Sequence, residues 1–128
     1  MKKILVVGSI NQDITLHMDK LPIPGETVIA SDLKSSLGGK GANQAIAASR
    51  MGADVAFIGA IGQEKGADSI IDIFSNDNVL TKGIQRLKEN TGTAYISIDK
   101  QAENNIIVYP GANFALTKEH LHLNKDLF

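Results

Sequence analysis

Cysteine is absent from this sequence, which excludes a disulfide framework and a zinc site built on thiolates. An excess of either charge is also absent, because 13 Lys and Arg stand against 14 Asp and Glu. A near-neutral chain without a basic stripe predicts no nucleic-acid partner. Long apolar runs are missing as well, since only Ile4–Val7 separates Met1-Lys2-Lys3 from Gly8. That run is too short for a signal peptide or a membrane span and predicts a cytoplasmic protein with no membrane partner.

What is present is the pattern of a single α/β domain, or part of one, in 128 residues of which 43% are hydrophobic. The continuous apolar run Ile4–Val7 predicts a central strand buried on both faces, and Ala53–Gly59 predicts a second core strand. Between them, Ala42–Met51 has helical spacing and ends at Gly52. Strand, helix, strand predicts a right-handed parallel crossover. A further helix is expected over residues 67–74.

A glycine-rich segment precedes the first predicted helix and reads Leu37-Gly-Gly-Lys-Gly-Ala-Asn-Gln-Ala45. Its glycines can adopt positive φ and allow close approach to the backbone. The helix start offers N–H groups and partial positive charge to a polar ligand, with Lys40 and Asn43 beside it. A Walker A loop is excluded because Gly41, not Ser or Thr, follows Lys40. The chain after the first strand likewise lacks the dinucleotide fingerprint.

Asn11 and Asp13 follow the first predicted strand, at the edge where open α/β sheets bind ligands. Residues two apart in an extended chain point the same way. An amide beside a carboxylate can donate to and accept from vicinal hydroxyls, as sugar recognition requires. The same pair can instead form a local Asx turn, and the two interpretations remain open at this point.

Two further pairs of short strands are predicted, and the first pair could leave the sheet as a flap over a site. Ile14–Asp19 alternates apolar and polar residues, and Thr27–Ala30 begins another strand after a Pro/Gly turn. Thr93–Asp99 and Asn105–Tyr109 form a hairpin by pattern, and Thr117 can cap a helix that begins at the next residue. A flap of short strands exposes edges and apolar faces, which a second copy of the chain can cover. We therefore expect a homodimer.

Five segments together closely resemble the ribokinase family of carbohydrate kinases, in order and spacing, over essentially the whole chain. The resemblance implies a ribokinase-like layered α/β fold, with a mostly parallel central sheet and a small β lid that also forms the dimer. It implies that residues 1–128 are an incomplete domain of that fold, with lid segments near 14–37 and 93–109. The segments are Gly8-Ser-Ile-Asn-x-Asp13, Pro24-Gly-Glu-Thr27, Gly38-Gly-Lys-Gly-Ala-Asn-Gln-Ala45, Thr91-Gly-x-Ala94 and Gly111-Ala-Asn113.

The family resemblance implies a specific reaction, in which the γ-phosphoryl group of ATP passes to O5 of D-ribose. It implies that ATP, Mg²⁺ and a monovalent cation (K⁺) take part, with their main sites outside this chain. Alternatives within enzymes are kinases of another pentose or of a nucleoside, and the alternative from another class is a non-catalytic sugar-binding or dimerisation module. The ribose contacts carried over by resemblance are Asn11, Asp13, Gly39, Lys40 and Asn43.

The family's catalytic Asp belongs to an Asp-Thr-x-Gly-Ala-Gly-Asp motif, which does not occur in residues 1–128. By resemblance it is expected C-terminal to Phe128, so we expect no catalytic residue in this chain and no turnover by the truncated chain alone. Smaller departures from the family pattern are Glu64 in place of an Asp, Gly66 one residue early, and Ala102 in place of a Gly. Glu64 and Lys65 are interpreted as solvated loop charges.

Overall fold

The computed structural model describes residues 3–128 of the chain as two β-sheets with helices. No helix in this range is long and apolar enough to cross a membrane. The strands are β1 Lys3–Val7, β2 Asn11–His17, β3 Asp32–Gly38, β4 Asp54–Ile61, β5 Val79–Arg86, β6 Gly92–Ile98 and β7 Asn104–Tyr109. The helices are α1 Lys40–Arg50, α2 Ala67–Asn76 and α3 Lys118–Leu123, with 3₁₀ turns at Gly111–Ala115 and Lys125–Leu127.

The first sheet is parallel, in the order β1-β4-β5, and carries the core. Helices α1 and α2 pack against it and bury their apolar residues, which confirms the parallel crossover around the first helix. Phe57 of β4 meets Phe74 of α2 with ring centroids 5.1 Å apart, and both side chains are fully buried. Each such burial stabilises the fold by roughly 1.5–3 kcal/mol. The packed core therefore fixes the positions of the strand ends at which the loops begin.

The second sheet has the order β3-β2-β6-β7 and stands apart from the first. Its outer pairs are antiparallel and its central pair, β2 with β6, is parallel. The register aligns Asp13 with Ala94, and Ala94 with Val108, so these three side chains share one face. This mixed α/β architecture confirms the predicted fold class, and the second sheet supplies further short strands that the sequence predicts.

Two expectations about strands were wrong, and one strand was missed. Thr27–Ala30 is irregular, and β3 begins only at Asp32, where pairing with His17 of β2 starts. Val79–Arg86, for which no strand was predicted, forms β5. The run Ile4–Val7 is not buried on both faces, because β1 has only β4 as a neighbour within residues 3–128, and Ile4 and Val7 remain exposed. The predicted hairpin near residues 93–109 and the cap at Thr117 are confirmed.

Candidate functional site

A cleft of about 480 Å³ lies between the second sheet and the start of α1. All five residues singled out from the sequence line it, which brings together side chains from β2 and from α1. The complete lining is Ser9, Asn11, Asp13, Gly39, Lys40, Asn43, Ala94, Ile96, Ile106, Val108, Pro110, Asn113 and Phe114.

The glycine segment holds the first turn of α1 against the connection between β1 and β2. Of its glycines only Gly39 has a positive φ, of 93°, and a Cβ there would lie 2.7 Å from the Ser9 carbonyl oxygen. Gly41 has an ordinary φ, but its Cβ would lie 2.8 Å from the Ser9 nitrogen. The Ala42 N–H donates to the Ser9 carbonyl at 3.0 Å. This hydrogen bond uses one of the N–H groups at the start of α1 that were expected to bind a ligand, and it holds the helix against the β1–β2 connection instead.

Asp13 lies in β2 and is half-buried in the cleft. Gly38 on the neighbouring strand leaves room for it, because a Cβ on Gly38 would lie 2.2 Å from the carboxylate oxygens. Burial raises the pKa of the Asp13 carboxyl above its ordinary value. Among residues 3–128 no Lys, Arg or His forms an ion pair with Asp13. The cleft therefore contains a partly desolvated carboxylate whose acceptor capacity is open to a ligand.

Asn11 opens β2 and bonds to Asn113, which is distant in sequence. The Asn113 side-chain amide donates from Nδ2 to Asn11 Oδ1 at 2.9 Å. Because Asn11 is extended and paired with Gly38 and Gly92, the Asx-turn interpretation of the Asn11 and Asp13 pair is wrong. The two side chains line the same cleft, as the spacing of two predicts.

Lys40 and Asn43 extend the cleft along the first turn of α1, and both are exposed. Among residues 3–128 no carboxylate forms an ion pair with Lys40. Both side chains line the same cleft as Asp13. The opposite wall is apolar and comes from β6 and β7 through Ala94, Ile96, Ile106 and Val108.

This arrangement suits a small polyhydroxylated molecule. The carboxylate accepts hydrogen bonds, the amides donate and accept them, and the ammonium donates. An apolar wall with a few placed polar groups is typical of small-molecule sites. Across residues 3–128 no three His, Asp or Glu side chains are grouped to hold a metal ion.

Two residues that matter locally were missed from the sequence. Glu64 was interpreted as a solvated charge, but its Oε1 accepts from the Thr91 N–H at 3.0 Å, and its Oε2 is buried without a partner in the described chain. Thr91 in turn accepts from the Gly62 N–H at 2.9 Å. Asn113 was noted in a loop at a strand end and as part of a family segment, but not as a site residue. Its position just after β7, at a strand end, is the signal that could have placed it in the site.

Comparisons with known proteins identify relatives of this chain. The family model described as pfkB family carbohydrate kinase matches residues 1–128. The chain is 44% identical, over 98% of its length, to the bifunctional ribokinase/ribose-5-phosphate isomerase A of Fructilactobacillus sanfranciscensis, and covers 24% of that protein. The ribokinase crystal structure from Thermotoga maritima matches with a TM-score of 0.87 at 38% identity, over 98% of this chain and 42% of that one.

A third match is the Arabidopsis thaliana ribokinase complexed with ribose and ATP. Its TM-score is 0.82 at 29% identity, over 95% of this chain and 41% of that one. The chain thus spans about two fifths or less of the length of these three proteins.

Proposed function

Because the chain belongs to the pfkB family of carbohydrate kinases, we propose that its cleft binds D-ribose for ATP-dependent phosphorylation at O5. The observation that carries the proposal is the Asp13 carboxylate, half-buried and free of any ion pair among residues 3–128. A desolvated carboxylate without partners is costly. Vicinal sugar hydroxyls supply the donors that remove this cost.

The other cleft residues divide the sugar between them. The Asn11 amide donates to a hydroxyl beside the one bound by Asp13, and Lys40 and Asn43 bind hydroxyls at the α1 side. Gly39 lines the cleft beside them, and a side chain at this position would clash with the β1–β2 connection. The apolar wall of β6 and β7 packs against the C–H face of the ring. These contacts orient the sugar, and positioning is one of the two main contributions to the catalysis of phosphoryl transfer.

Residues 1–128 bind and orient the sugar but do not catalyse the reaction alone. In this proposal the base that deprotonates O5 is a residue outside 1–128, and Asp13 serves only to bind the sugar. The Arabidopsis relative supports ATP as the phosphoryl donor. Mg²⁺ and K⁺ are included in the proposal only because the family resemblance implies them. Residues 3–128 contain no group of three or more His, Asp or Glu side chains that could hold a metal ion.

We also propose that the second sheet acts as a lid over the sugar and forms the contact between two copies of the chain. One face of this sheet lines the cleft through Asp13, Ile96 and Ile106. The opposite face is also apolar and is exposed, at Tyr95 and Ile107.

The proposal is tested by isothermal titration with D-ribose and by ADP release on the intact gene product. We expect ribose binding that Asp13→Asn weakens at least about tenfold, the scale of a lost hydrogen bond to a charged group. Asp72→Asn, an exposed change on α2, is the matched control and should bind as the wild type does. Residues 1–128 alone should release no ADP.

Two alternatives give different outcomes in the same assays. A higher kcat/KM for another pentose or for a nucleoside would replace ribose as the substrate while keeping the kinase. Ribose binding by a folded dimer, without turnover by the intact gene product, would favour a non-catalytic sugar-binding module. If no sugar binds to the wild type, the proposed function is wrong.

A further inference from the structure

The side chain of Asn113 binds the backbone where β2 begins. Its Oδ1 accepts from the Ile10 N–H at 2.9 Å, and its Nδ2 donates to the Ile10 carbonyl at 3.0 Å. The primary amide therefore pairs with both backbone groups of Ile10, much as a neighbouring strand would. Ile10 itself is fully buried, so this contact ties the 3₁₀ turn to the core.

The same Nδ2 also donates to Oδ1 of Asn11, at 2.9 Å. Gly92 on β6 leaves the space for this pair, because a Cβ there would lie 2.3 Å from Asn113 Nδ2 and 2.6 Å from Asn11 Oδ1. The 3₁₀ turn is fixed in place by the Ala112 N–H, which donates to the Asn90 carbonyl at 2.8 Å. Three chain segments thus set the orientation of one amide.

That orientation determines what Asn11 offers to the cleft. With Oδ1 occupied by Asn113, the group that Asn11 has left for a ligand is the Nδ2 donor. Asp13, two residues along the same strand face, offers only acceptors in its ionised form. A donor beside an acceptor favours sugars whose two neighbouring hydroxyls are placed so that each can bond to one of these groups. We propose that Asn113 is a positioning residue that sets sugar specificity by fixing Asn11 with its donor toward the cleft; this inference rests on the proposed function.

The experiment compares kcat/KM of the intact gene product across D-ribose, 2-deoxyribose, D-arabinose and D-xylose. Asn113→Asp keeps the acceptor for the Ile10 N–H but loses both donations, so Asn11 must turn its own Nδ2 toward position 113. Asn11→Asp keeps the acceptor for Asn113 and loses the donor to the ligand. Both variants should lose discrimination at the same hydroxyl, by roughly tenfold, mainly through KM. Asn124→Ala is the control, because Asn124 also bonds a backbone carbonyl, that of His120, outside the cleft lining.

A shared change of sugar preference in the two variants, absent from Asn124→Ala, supports the positioning role. An equal loss for all four sugars in Asn113→Asp, or an unchanged preference, overturns it while leaving the proposed function intact. If Asn113→Asp does not fold, Asn11→Asp decides: unchanged sugar preference in that variant also overturns the role. A wild type that acts on and binds no pentose overturns the proposed function and this inference together.

Discussion

At the scale of single residues, Asp13 shows a conflict between stability and binding. Burial raises the pKa of its carboxyl above 3.8, so the folded chain holds the proton to higher pH than the unfolded chain does. The folded state therefore binds more protons between the two values, and stability falls as pH rises through the folded pKa. The cost is fully present above that pKa and absent well below 3.8. A ligand that donates to Asp13 offsets this cost.

Asp13→Asn removes the charge and keeps the shape of the side chain. We expect the variant to be more stable than the wild type at pH 7 without sugar and equally stable below about pH 3.8. Urea unfolding of both proteins from pH 3 to pH 7 measures the difference. A variant less stable than the wild type at pH 7 would show that Asp13 makes a favourable contact in the free protein, contrary to this account.

Glu64 gives a second prediction, for stability alone. Its Oε1 satisfies the Thr91 N–H at a partly buried position next to the start of β6. Glu64→Ala leaves that N–H unpaired and should lower the free energy of unfolding by about 1–3 kcal/mol. Glu64→Gln retains an oxygen acceptor and serves as the control, with a smaller loss. Equal losses in the two variants, read from urea midpoints, would show that the charge and not the acceptor matters.

Sequence reasoning predicted the placement of residues whose partners are close along the chain or whose spacing follows a simple period. Asn11 and Asp13 share a face because a strand has period two, and both lie in the cleft. Asn113 could not be paired with Asn11, because that contact depends on how the 3₁₀ turn after β7 meets the start of β2. Glu64 was missed for the same reason, since Thr91 is 27 residues away.

At the scale of elements, the position of α1 depends on glycines that let the backbone of the helix start pack directly against the backbone of the β1–β2 connection. A Cβ on Gly41 would lie 2.8 Å from the Ser9 nitrogen and 2.9 Å from the Gly8 backbone. Neither of these atoms can move without shifting the β1–β2 connection. The start of the helix and the start of β2 are thus one packed unit, and the cleft lies between them.

Gly41→Ala should push α1 away from that connection. The expected loss is about 1–3 kcal/mol of unfolding free energy, the usual cost of overpacking, together with weaker ribose binding. Gly66→Ala is the matched control, because Gly66 precedes α2 at a negative φ and a Cβ there meets nothing within 4 Å. Calorimetric unfolding and ribose titration of both variants check this, and equal behaviour of the two would contradict the packing argument.

Element prediction succeeded where the pattern was regular and failed where neighbours decide. Strand β5, Val79–Arg86, was not predicted because Lys82 and Gly83 interrupt its apolar pattern, yet pairing with β4 makes it a strand. Thr27–Ala30 has strand-forming residues but no ladder partner, since pairing with β2 begins at Asp32. Local composition does not contain this information.

At the scale of the whole molecule, the second sheet has apolar residues on both faces. Ile96, Ile106 and Val108 face the cleft. On the other face, Tyr95 and Ile107 are register partners, with 48% and 70% of their surface exposed. An open apolar sheet face with an exposed edge strand is unfavourable in isolation. The cleft face is covered by the sugar in our proposal, which leaves the Tyr95 and Ile107 face for a second copy of the chain.

Ile107→Glu places a charge on that outer face, in edge strand β7, and should convert the proposed dimer to a monomer, because burying an unpaired carboxylate costs more than the contact returns. Light scattering after size exclusion, at several concentrations of the intact gene product, measures the change. Met51→Glu is the control, since Met51 is 87% exposed and stands just after α1, outside the strands of the second sheet. A stable interface buries about 800 Å² on each partner, so a charged side chain within it would have to lose its water. A wild type that is monomeric at every concentration, or an Ile107→Glu variant that remains dimeric, would show that this face is not the contact.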